Sequence, residues 1–344
     1  MNELLQKLTE ATGVAGEEKE VRLLLRDLIA DHVDEWRVDP MGNLIARKAG
    51  SGDGVLRILV DAHMDEVGMM VTAVDSDGTL RFEAVGGLHP PALLGKVVQV
   101  GAKRLPGVIG ARPIHLLDAA QRNKVVKLSD MRIDIGAQKK EEAERKVSIG
   151  DRATFLTSYE ESGRVALGKA FDNRAGCAVL VELLQGEPFP FDLYAVFSVQ
   201  EEVGLRGAQT AAFGIRPDAA LVLECTPAYD LPNERDVGSN VALGRGPSLY
   251  VMDAGTIQDP RLVSHIMRTA EEQSIPYQIR QPGGGGTNTA AIQRAGGAVP
   301  AATLATPARY LHAPTAMINL DDFGHVRRLA EATLRKLDAS ILQR

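Results

Sequence analysis

The chain has 344 residues, of which 44% are hydrophobic and 24% charged, so it can fold as one large domain or two ordinary ones. Its formal net charge of −6 lacks the basic excess that most nucleic-acid-binding proteins need, which excludes nucleic acid as an expected partner. The only cysteines are Cys177 and Cys225, which excludes a disulfide scaffold or a four-thiolate cluster and leaves histidines and carboxylates as metal ligands.

The chain start resembles neither a signal peptide nor a membrane anchor. Residues 1–4 have no basic flank or apolar core, and no apolar run reaches the length of about 18 residues typical of a membrane span. These features predict a soluble, cytoplasmic protein without a membrane partner.

The first part of the chain predicts a helix, a hairpin and a central strand. Residues 36–39 and 44–48 flank a turn cluster and predict the hairpin, and the mostly apolar run 55–60 predicts a strand that leads into residues 61–65. The buried stripe of the predicted surface helix is formed by Val21, Leu24, Leu25, Leu28 and Ile29.

The middle of the chain changes to short β-rich runs broken by glycine. No helical pattern longer than residues 139–146 interrupts them. This pattern of short strands predicts an all-β module, residues 66–161, inserted into an α/β domain made of residues 1–65 and 162–344. The predicted strands of the module are 69–74, 79–85, 96–101, 108–110 and 152–156.

Helix and strand patterns alternate again after residue 170. We expect a sheet with helices on both sides, and Asp321 or Asp322 is suited to cap the last helix. Active sites of such sheets lie where strands end. The predicted helices are 175–184, 208–213, 260–272 and one containing Phe323, Val326, Leu329 and Leu334; the predicted strands are 193–199, 219–223 and 299–304.

Acids and histidines follow several of these strands. The candidates are His63, Asp65, Glu201, Glu202, Glu224, His312 and, at the start of a helix, Asp172. Imidazoles and carboxylates are ligands that Zn, Co or Mn accept. Each residue alone is more often a cap or a hydrogen-bonding partner, and Asp172 in particular suits a helix N-cap. The joint pattern favours a metal site.

Two features suggest how such a site would work. The adjacent Glu201 and Glu202 repel each other unless they share a cation or a proton, so one can bind metal while the other moves a proton. Asp65 is either the carboxylate that orients the His63 imidazole or an exposed salt-bridge partner.

The chain closely resembles the M42 family of metallo-aminopeptidases, the glutamyl and deblocking aminopeptidases that build tetrahedral shells. The resemblance spans nearly the whole chain, in the family's order. Its segments are 61–68 (DAHMDEVG), 168–174 (GKAFDNR), 199–207 (VQEEVGLRG), 284–287 (GGGT) and 309–314 (RYLHAP).

This resemblance implies a mixed-sheet, phosphorylase/hydrolase-like catalytic domain with an inserted β-barrel-like dimerisation domain. It implies two divalent ions per subunit, Zn²⁺ or Co²⁺. His63 and Glu224 would hold one ion, Glu202 and His312 the other, and Asp172 would bridge them. Asp65 would support His63. Glu201 would be the general base for a metal-activated bridging water.

The implied activity is removal of the N-terminal residue from peptides, in a homo-oligomer that is a dodecamer built from dimers. Glycines 283–286 would let the backbone approach the substrate. Residues 112–131 show no clear pattern and are either a loop that reaches a neighbouring subunit or a disordered segment.

The chain departs from the family pattern at a few positions. Glu224 replaces a frequent Asp, Asn288 replaces the usual Asp after Thr287 so that a charge near the substrate loop is lost, and no acid follows His312 closely. Three other functions stay open: an inactive shell, a related two-metal deacylase or carboxypeptidase, and a glycan hydrolase. The last would need a carboxylate pair flanking a sugar.

Overall fold

The computed structural model describes residues 2–52, 56–231, 241–281, 283 and 285–343. Val55 of the predicted central strand and Gly284 of the predicted glycine loop lie outside these residues. The helices are α1 Asn2–Glu10, α2 Lys19–Ile29, α3 Ala119–Arg122, α4 Lys140–Glu144, α5 Phe171–Gln185, α6 Arg206–Ile215, α7 Pro260–Glu272, α8 Asn288–Gln293 and α9 Leu320–Arg335.

The strands fall into one open sheet and one barrel. They are β1 Glu35–Val38, β2 Leu44–Lys48, β3 Arg57–His63, β4 Gly68–Val74, β5 Leu80–Val85, β6 Val97–Val100, β7 Leu105–Gly110, β8 Arg132–Asp134, β9 Arg152–Phe155, β10 Glu160–Ser162, β11 Val165–Gly168, β12 Asp192–Ser198, β13 Ala219–Pro227, β14 Ser248–Tyr250, β15 Gln278–Arg280, β16 Ala301–Arg309 and β17 Ala316–Asn319.

The open sheet is mixed, with a parallel centre. In the described residues its order is β1-β2-β12-β3-β13-β16-β17-β11-β10, and β14 joins β16 to β15. Strands β12, β3, β13 and β16 run parallel, so their carboxyl ends meet at one edge. Because apolar residues cover both of its faces, the sheet packs α5 and α9 on one side and α6 and α8 on the other. The predicted α/β class is therefore confirmed.

The inserted strands close into a barrel in the order β4-β5-β8-β7-β6-β9. Alternate residues of its strands point inward and form a separate core, because successive side chains of a strand point to opposite faces of the sheet. The expectation of a β-barrel-like module is confirmed. Strand β8 was not predicted, because three residues are too few to show alternation. The boundaries 66 and 161 and the dimerisation role stay predictions.

The start of α9 differs from the prediction. Asn319, not Asp321 or Asp322, caps this helix, and its side-chain oxygen accepts the backbone N–H groups of both aspartates. The helix begins directly after β17, which moves the cap position to the last strand residue. The buried Asp322 carboxylate accepts the N–H groups of Gly244 and Gly246 instead.

Residues 112–131 leave the barrel between β7 and β8. They contain only the short helix α3 and single helical turns at Ile114–Leu116 and Leu128–Asp130. A contact with a neighbouring subunit stays a prediction for this segment.

A buried ionic cluster joins the barrel to the sheet. Glu66 accepts hydrogen bonds from Lys169 Nζ at 2.8 and 2.9 Å, from Gly13 N at 3.0 Å and from Thr154 Oγ1 at 3.0 Å. Arg174 lies 3.6 Å away and donates to backbone carbonyls of the first helix and of the β3 end. Segments far apart in the chain therefore meet on one carboxylate.

None of the helices in the described part of the chain combines the length and the apolar character needed to span a bilayer.

We expect Lys169→Met to destabilise the fold severely. Removing this ammonium leaves the Glu66 charge buried beside fewer donors, which costs about 3–5 kcal/mol of unfolding free energy. Urea denaturation measures the loss. The control is Arg164→Ala, since Arg164 and its partner Asp321 are 82% and 53% exposed and their pair is worth at most about 1 kcal/mol. Equal losses in the two variants would contradict the joining role of Glu66.

Candidate active site

The predicted site residues converge at the carboxyl edge of the parallel strands. His63 is the last residue of β3, Glu224 lies within β13, and Asp172 lies in the first turn of α5. Glu201 and Glu202 follow the end of β12, and His312 follows the end of β16. The structure thus brings all the proposed metal ligands into one cluster, together with Glu201 and Asp65.

Asp172 lies at the centre of this cluster. Its Oδ1 is 3.1 Å from His63 Nε2, and its Oδ2 is 3.5 Å from His312 Nε2. The backbone of Asp172 and Asn173 is non-helical, which turns the carboxylate towards the histidines. The neighbouring Asn173 accepts the N–H of Gly176 at 3.0 Å, so the capping contact that was the alternative role for Asp172 is made by Asn173.

Two groups of potential ligands share Asp172. One is His63, Asp172 and Glu224, and the other is Asp172, Glu202 and His312; in each group the ligand atoms lie within 4.8 Å of one another. His63 Nε2 is 3.6 Å from Glu224 Oε2, and His312 Nε2 is 3.3 Å from Glu202 Oε2. A further group of this kind joins His63, Glu201 and Glu202.

The residues fit a bound divalent cation. Glu202 Oε1 and Glu224 Oε1 are buried, and neither has a hydrogen-bond partner among the described residues. A buried carboxylate oxygen without a donor is costly unless a cation or a proton compensates it. Imidazole and carboxylate together suit Zn, Co and Mn.

Asp65 ties two strand ends together. Its Oδ1 and Oδ2 accept the backbone N–H groups of Glu201 and Glu202 at 3.0 and 3.1 Å. Its Oδ1 also lies 3.5 Å from His63 Nδ1. The side chain is fully buried, so the alternative of an exposed salt-bridge partner is wrong.

The charges of the cluster shift one another's ionisation. Burial, reinforced by repulsion from Glu202, raises the pKa of Glu201 to about 8. Burial opposes ionisation of Asp172 too, but hydrogen bonds from His312 and His63 hold its pKa well below the usual range. Burial would lower the pKa of His63, yet the charges of Glu224 and Glu201 raise it well above its usual value. The raised pKa values of Glu201 and His63 mean that bound protons offset part of the negative charge of the cluster.

Both cysteines are buried beside the cluster and are not candidate nucleophiles. Cys225 lines the cavity next to Glu224, and Cys177 Sγ lies 3.2 Å from the His63 carbonyl oxygen. Burial raises the pKa of Cys177 to about 12 and that of Cys225 well above its usual value. At neutral pH both thiols stay protonated and unreactive.

The cluster opens into a cavity of about 200 Å³. Besides the charged cluster, its lining includes Tyr250, Arg280 and residues 285–287. The Arg280 guanidinium lies over the Tyr250 ring, 4.5 Å from its centroid. Sequence reasoning missed both residues, because they come from the three-residue strands β14 and β15 and no motif marks them.

Asn288, the position at which the sequence departs from the family pattern, contacts a carboxylate of β3. Its amide donates to Asp61 Oδ2 at 2.8 Å, and the loss of a charge near the substrate loop stays a prediction. Burial raises the pKa of Asp61 to about 6.

Comparisons with known proteins find relatives that match almost the whole chain. A model of the M42 glutamyl aminopeptidase family matches residues 42–329. The chain is 34% identical over 347 residues to the lysyl aminopeptidase of Pyrococcus furiosus, covering 97% of each chain. It is 32% identical over 344 residues to the glutamyl aminopeptidase of Lactococcus lactis, covering 97% of this chain and 96% of that one.

Solved structures share the same architecture. A TET aminopeptidase from a marine-sediment archaeon of the Thaumarchaeota is 36% identical with a TM-score of 0.95, covering 99% of this chain and 97% of that one. A Pyrococcus horikoshii TET peptidase that can assemble into a tetrahedron or a large octahedral shell is 32% identical with a TM-score of 0.86, covering 98% and 99%. An endoglucanase of Thermotoga maritima is 36% identical with a TM-score of 0.82, covering 98% of each chain.

Proposed function

The chain belongs to the M42 glutamyl aminopeptidase family, and we propose that it works as a two-metal aminopeptidase in which Glu201 is the general base. Membership of this family makes the chain an aminopeptidase, a hydrolase that removes residues from peptide N-termini. The observation that carries the two-metal proposal is the position of Asp172. Each of its carboxylate oxygens faces a different imidazole, as expected of a ligand that bridges two ions.

The proposed ligand sets follow from the two groups that share Asp172. His63 and Glu224 hold one ion, Glu202 and His312 hold the other, and Asp172 belongs to both. When bound, two divalent ions such as Zn²⁺ or Co²⁺ would acidify a water molecule, polarise the scissile carbonyl and bind the free α-amine of the peptide.

The protein's own residues then supply orientation and proton transfer. The His63 Nδ1–H donates to the backbone carbonyl of Asp65 at 3.2 Å, with the Asp65 carboxylate 3.5 Å away, which leaves the Nε2 lone pair facing Asp172 and Glu224. The contacts of the Asp65 carboxylate with the N–H groups of Glu201 and Glu202 fix the turn that carries these two acids. Glu201 takes a proton from the attacking water and passes it to the amine of the departing peptide. Because Glu201 gives to the leaving amine the proton that it took from the water, its carboxylate is ionised again at the end of each cycle.

We expect metal content and turnover to separate in two variants. Asp172→Asn should lose most of its bound metal, because it removes the charge that both ligand groups share. Glu201→Gln should keep its metal but lose about 10²–10⁴-fold in kcat, since only the proton transfer is removed. Elemental analysis after dialysis and release of amino acids from N-terminally free peptides measure the two effects. Wild-type turnover in Glu201→Gln would refute the assignment of the base.

The same assay distinguishes the other functions. An N-acylated amino acid tests the deacylase, and a cellulose oligomer tests the glycan hydrolase represented by the Thermotoga maritima relative. If metal-loaded protein releases nothing from any of these, the chain is an inactive shell.

The cavity lining favours a peptide whose first residue is acidic. The ligand cluster is rich in carboxylates and would repel a second acid, but Arg280 places a positive charge in the same cavity. Stacking over Tyr250 holds the guanidinium in a defined orientation. The named relatives include both a lysyl and a glutamyl aminopeptidase, so the family alone does not decide the preference.

We expect wild-type enzyme to prefer Glu over Leu and Lys as the first residue, and Arg280→Gln to lose that preference. The kcat/KM for a Glu substrate should fall by about tenfold or more, because a charge-assisted contact is removed. The value for a Leu substrate should change little and serves as the internal control. An equal fall for both substrates would mean that Arg280 only supports the cavity wall.

The proposal includes assembly through the barrel into dimers and then into a dodecamer in the cytoplasm. The barrel surface exposes an apolar group formed by Val97, Val108 and Leu156, which are 43%, 44% and 50% exposed. Val97 and Val108 are cross-strand neighbours on β6 and β7, and Leu156 bonds to Val97 through the backbone. Such contiguous apolar patches mark interaction surfaces. The free, buried cysteines suit a reducing compartment.

We expect Val108→Glu to shift the protein to smaller species in sedimentation velocity, because it buries a charge in the proposed interface. Val38→Glu is the matched control, since Val38 is 46% exposed on strand β1 of the sheet. Unchanged assembly in Val108→Glu would exclude this face of the barrel as the dimer contact.

A further inference from the structure

Asn288 links the glycine-rich loop of the cavity to the strands of the cluster. It is the first residue of α8 and is fully buried. Its amide nitrogen donates to Asp61 Oδ2 at 2.8 Å and to Ser198 Oγ at 2.9 Å. Both N–H bonds of the amide are thus used, and both point at the sheet.

The two acceptors belong to the strands that deliver the site. Asp61 lies on β3, two residues before His63. Ser198 ends β12, pairs in register with His63 and lies shortly before Glu201. The Asn288 amide therefore bridges a side chain of β3 and a side chain of β12. A shift of α8 would break contacts to both strands at once.

The loop before α8 depends on this contact. Gly285, Gly286 and Thr287 line the cavity, and Thr287 Oγ1 bonds to Asp253 Oδ2 at 3.1 Å. Helix α8 has six residues and is too short to be stable without tertiary contacts. The anchoring of its first turn therefore sets where the loop lies relative to a bound peptide.

The chemistry of the contact requires one carboxylate and one amide. An ionised carboxylate only accepts hydrogen bonds, so Asp61 needs a donor, which the Asn288 amide supplies. Aspartate at position 288 would place a second carboxylate at 2.8 Å from Asp61 in a fully buried site. A swap of the two residues would keep one of each.

We propose that Asn288 is a positioning residue for the substrate loop, held by Asp61 and Ser198, and that this contact requires one amide and one carboxyl side chain. Asn288 acts through residues 285–287 and does not touch the reacting atoms. The kinetic part of this inference rests on the proposed aminopeptidase function, whereas the contact itself can be tested without it.

The test compares Asn288→Asp, Asp61→Asn and the double variant that carries both changes. We expect Asn288→Asp to raise KM for a peptide substrate about tenfold while kcat changes less than about threefold, because the loop is displaced but the cluster is kept. The double variant should bring KM back to within about threefold of wild type. It should also regain most of the fall in Tm that two facing carboxylates cause in Asn288→Asp. A merely structural role would give no such recovery of KM.

Thr303→Val is the matched control. It removes the 2.6 Å hydrogen bond between the Thr289 and Thr303 hydroxyls, which also anchors α8, but leaves the Asp61 contact intact. We expect it to lower Tm without raising KM. The proposal is overturned if the double variant is no better than Asn288→Asp in KM and Tm, or if Thr303→Val raises KM as much. If wild type hydrolyses no peptide, the proposed function fails, and recovery of Tm in the double variant still decides the contact.

Discussion

Negative charge concentrated at one buried edge of the sheet is the constraint on which the site depends. Carboxylates from four separate segments meet around two imidazoles, and at such distances unscreened like charges repel strongly. Each acid is stabilised differently: Asp65 by backbone N–H groups, Asp172 by both histidines. The orphaned oxygens of Glu202 and Glu224 remain, and these are the groups that bound cations would satisfy.

A second buried cluster, formed by Glu66, Lys169 and Arg174, adjoins the site and holds two of its segments in place. Glu66 follows Asp65 in the chain, and its partners Lys169 and Arg174 flank Asp172. The ion pair that joins the barrel to the sheet therefore also brings the β3 end and the start of α5 together. Two of the segments shared with the family, 61–68 and 168–174, therefore contain structural residues beside the proposed ligands.

Sequence patterns predicted the parts of the molecule that local rules control. The strands that deliver the site were predicted, but some of their carboxyl ends were placed too early, because β3 continues to His63 and β13 to Pro227. Helix α7 was predicted from Pro260 to Glu272 as observed. Tyr250 and Arg280 were missed, since strands of three residues form only by pairing with distant partners. The cap of α9 was misplaced because the length of β17 decides which residue precedes the helix. The buried role of Glu66 depends on side chains brought together by the whole fold.

The contacts of Glu224 and Asn288 show what two of the departures from the family pattern do in the site. Glu224 replaces a shorter acid, yet its Oε2 reaches within 3.6 Å of His63 from the middle of β13, so the donor set is kept. Asn288 replaces an acid and donates to the Asp61 carboxylate at 2.8 Å. A carboxylate is therefore kept at position 224, whereas at position 288 an amide contacts a carboxylate of another strand. An amide and a carboxylate complement each other in a buried contact, whereas two carboxylates repel each other. Substitutions at such positions are therefore best interpreted in contacting pairs, because a change that is harmful alone can be neutral with its partner.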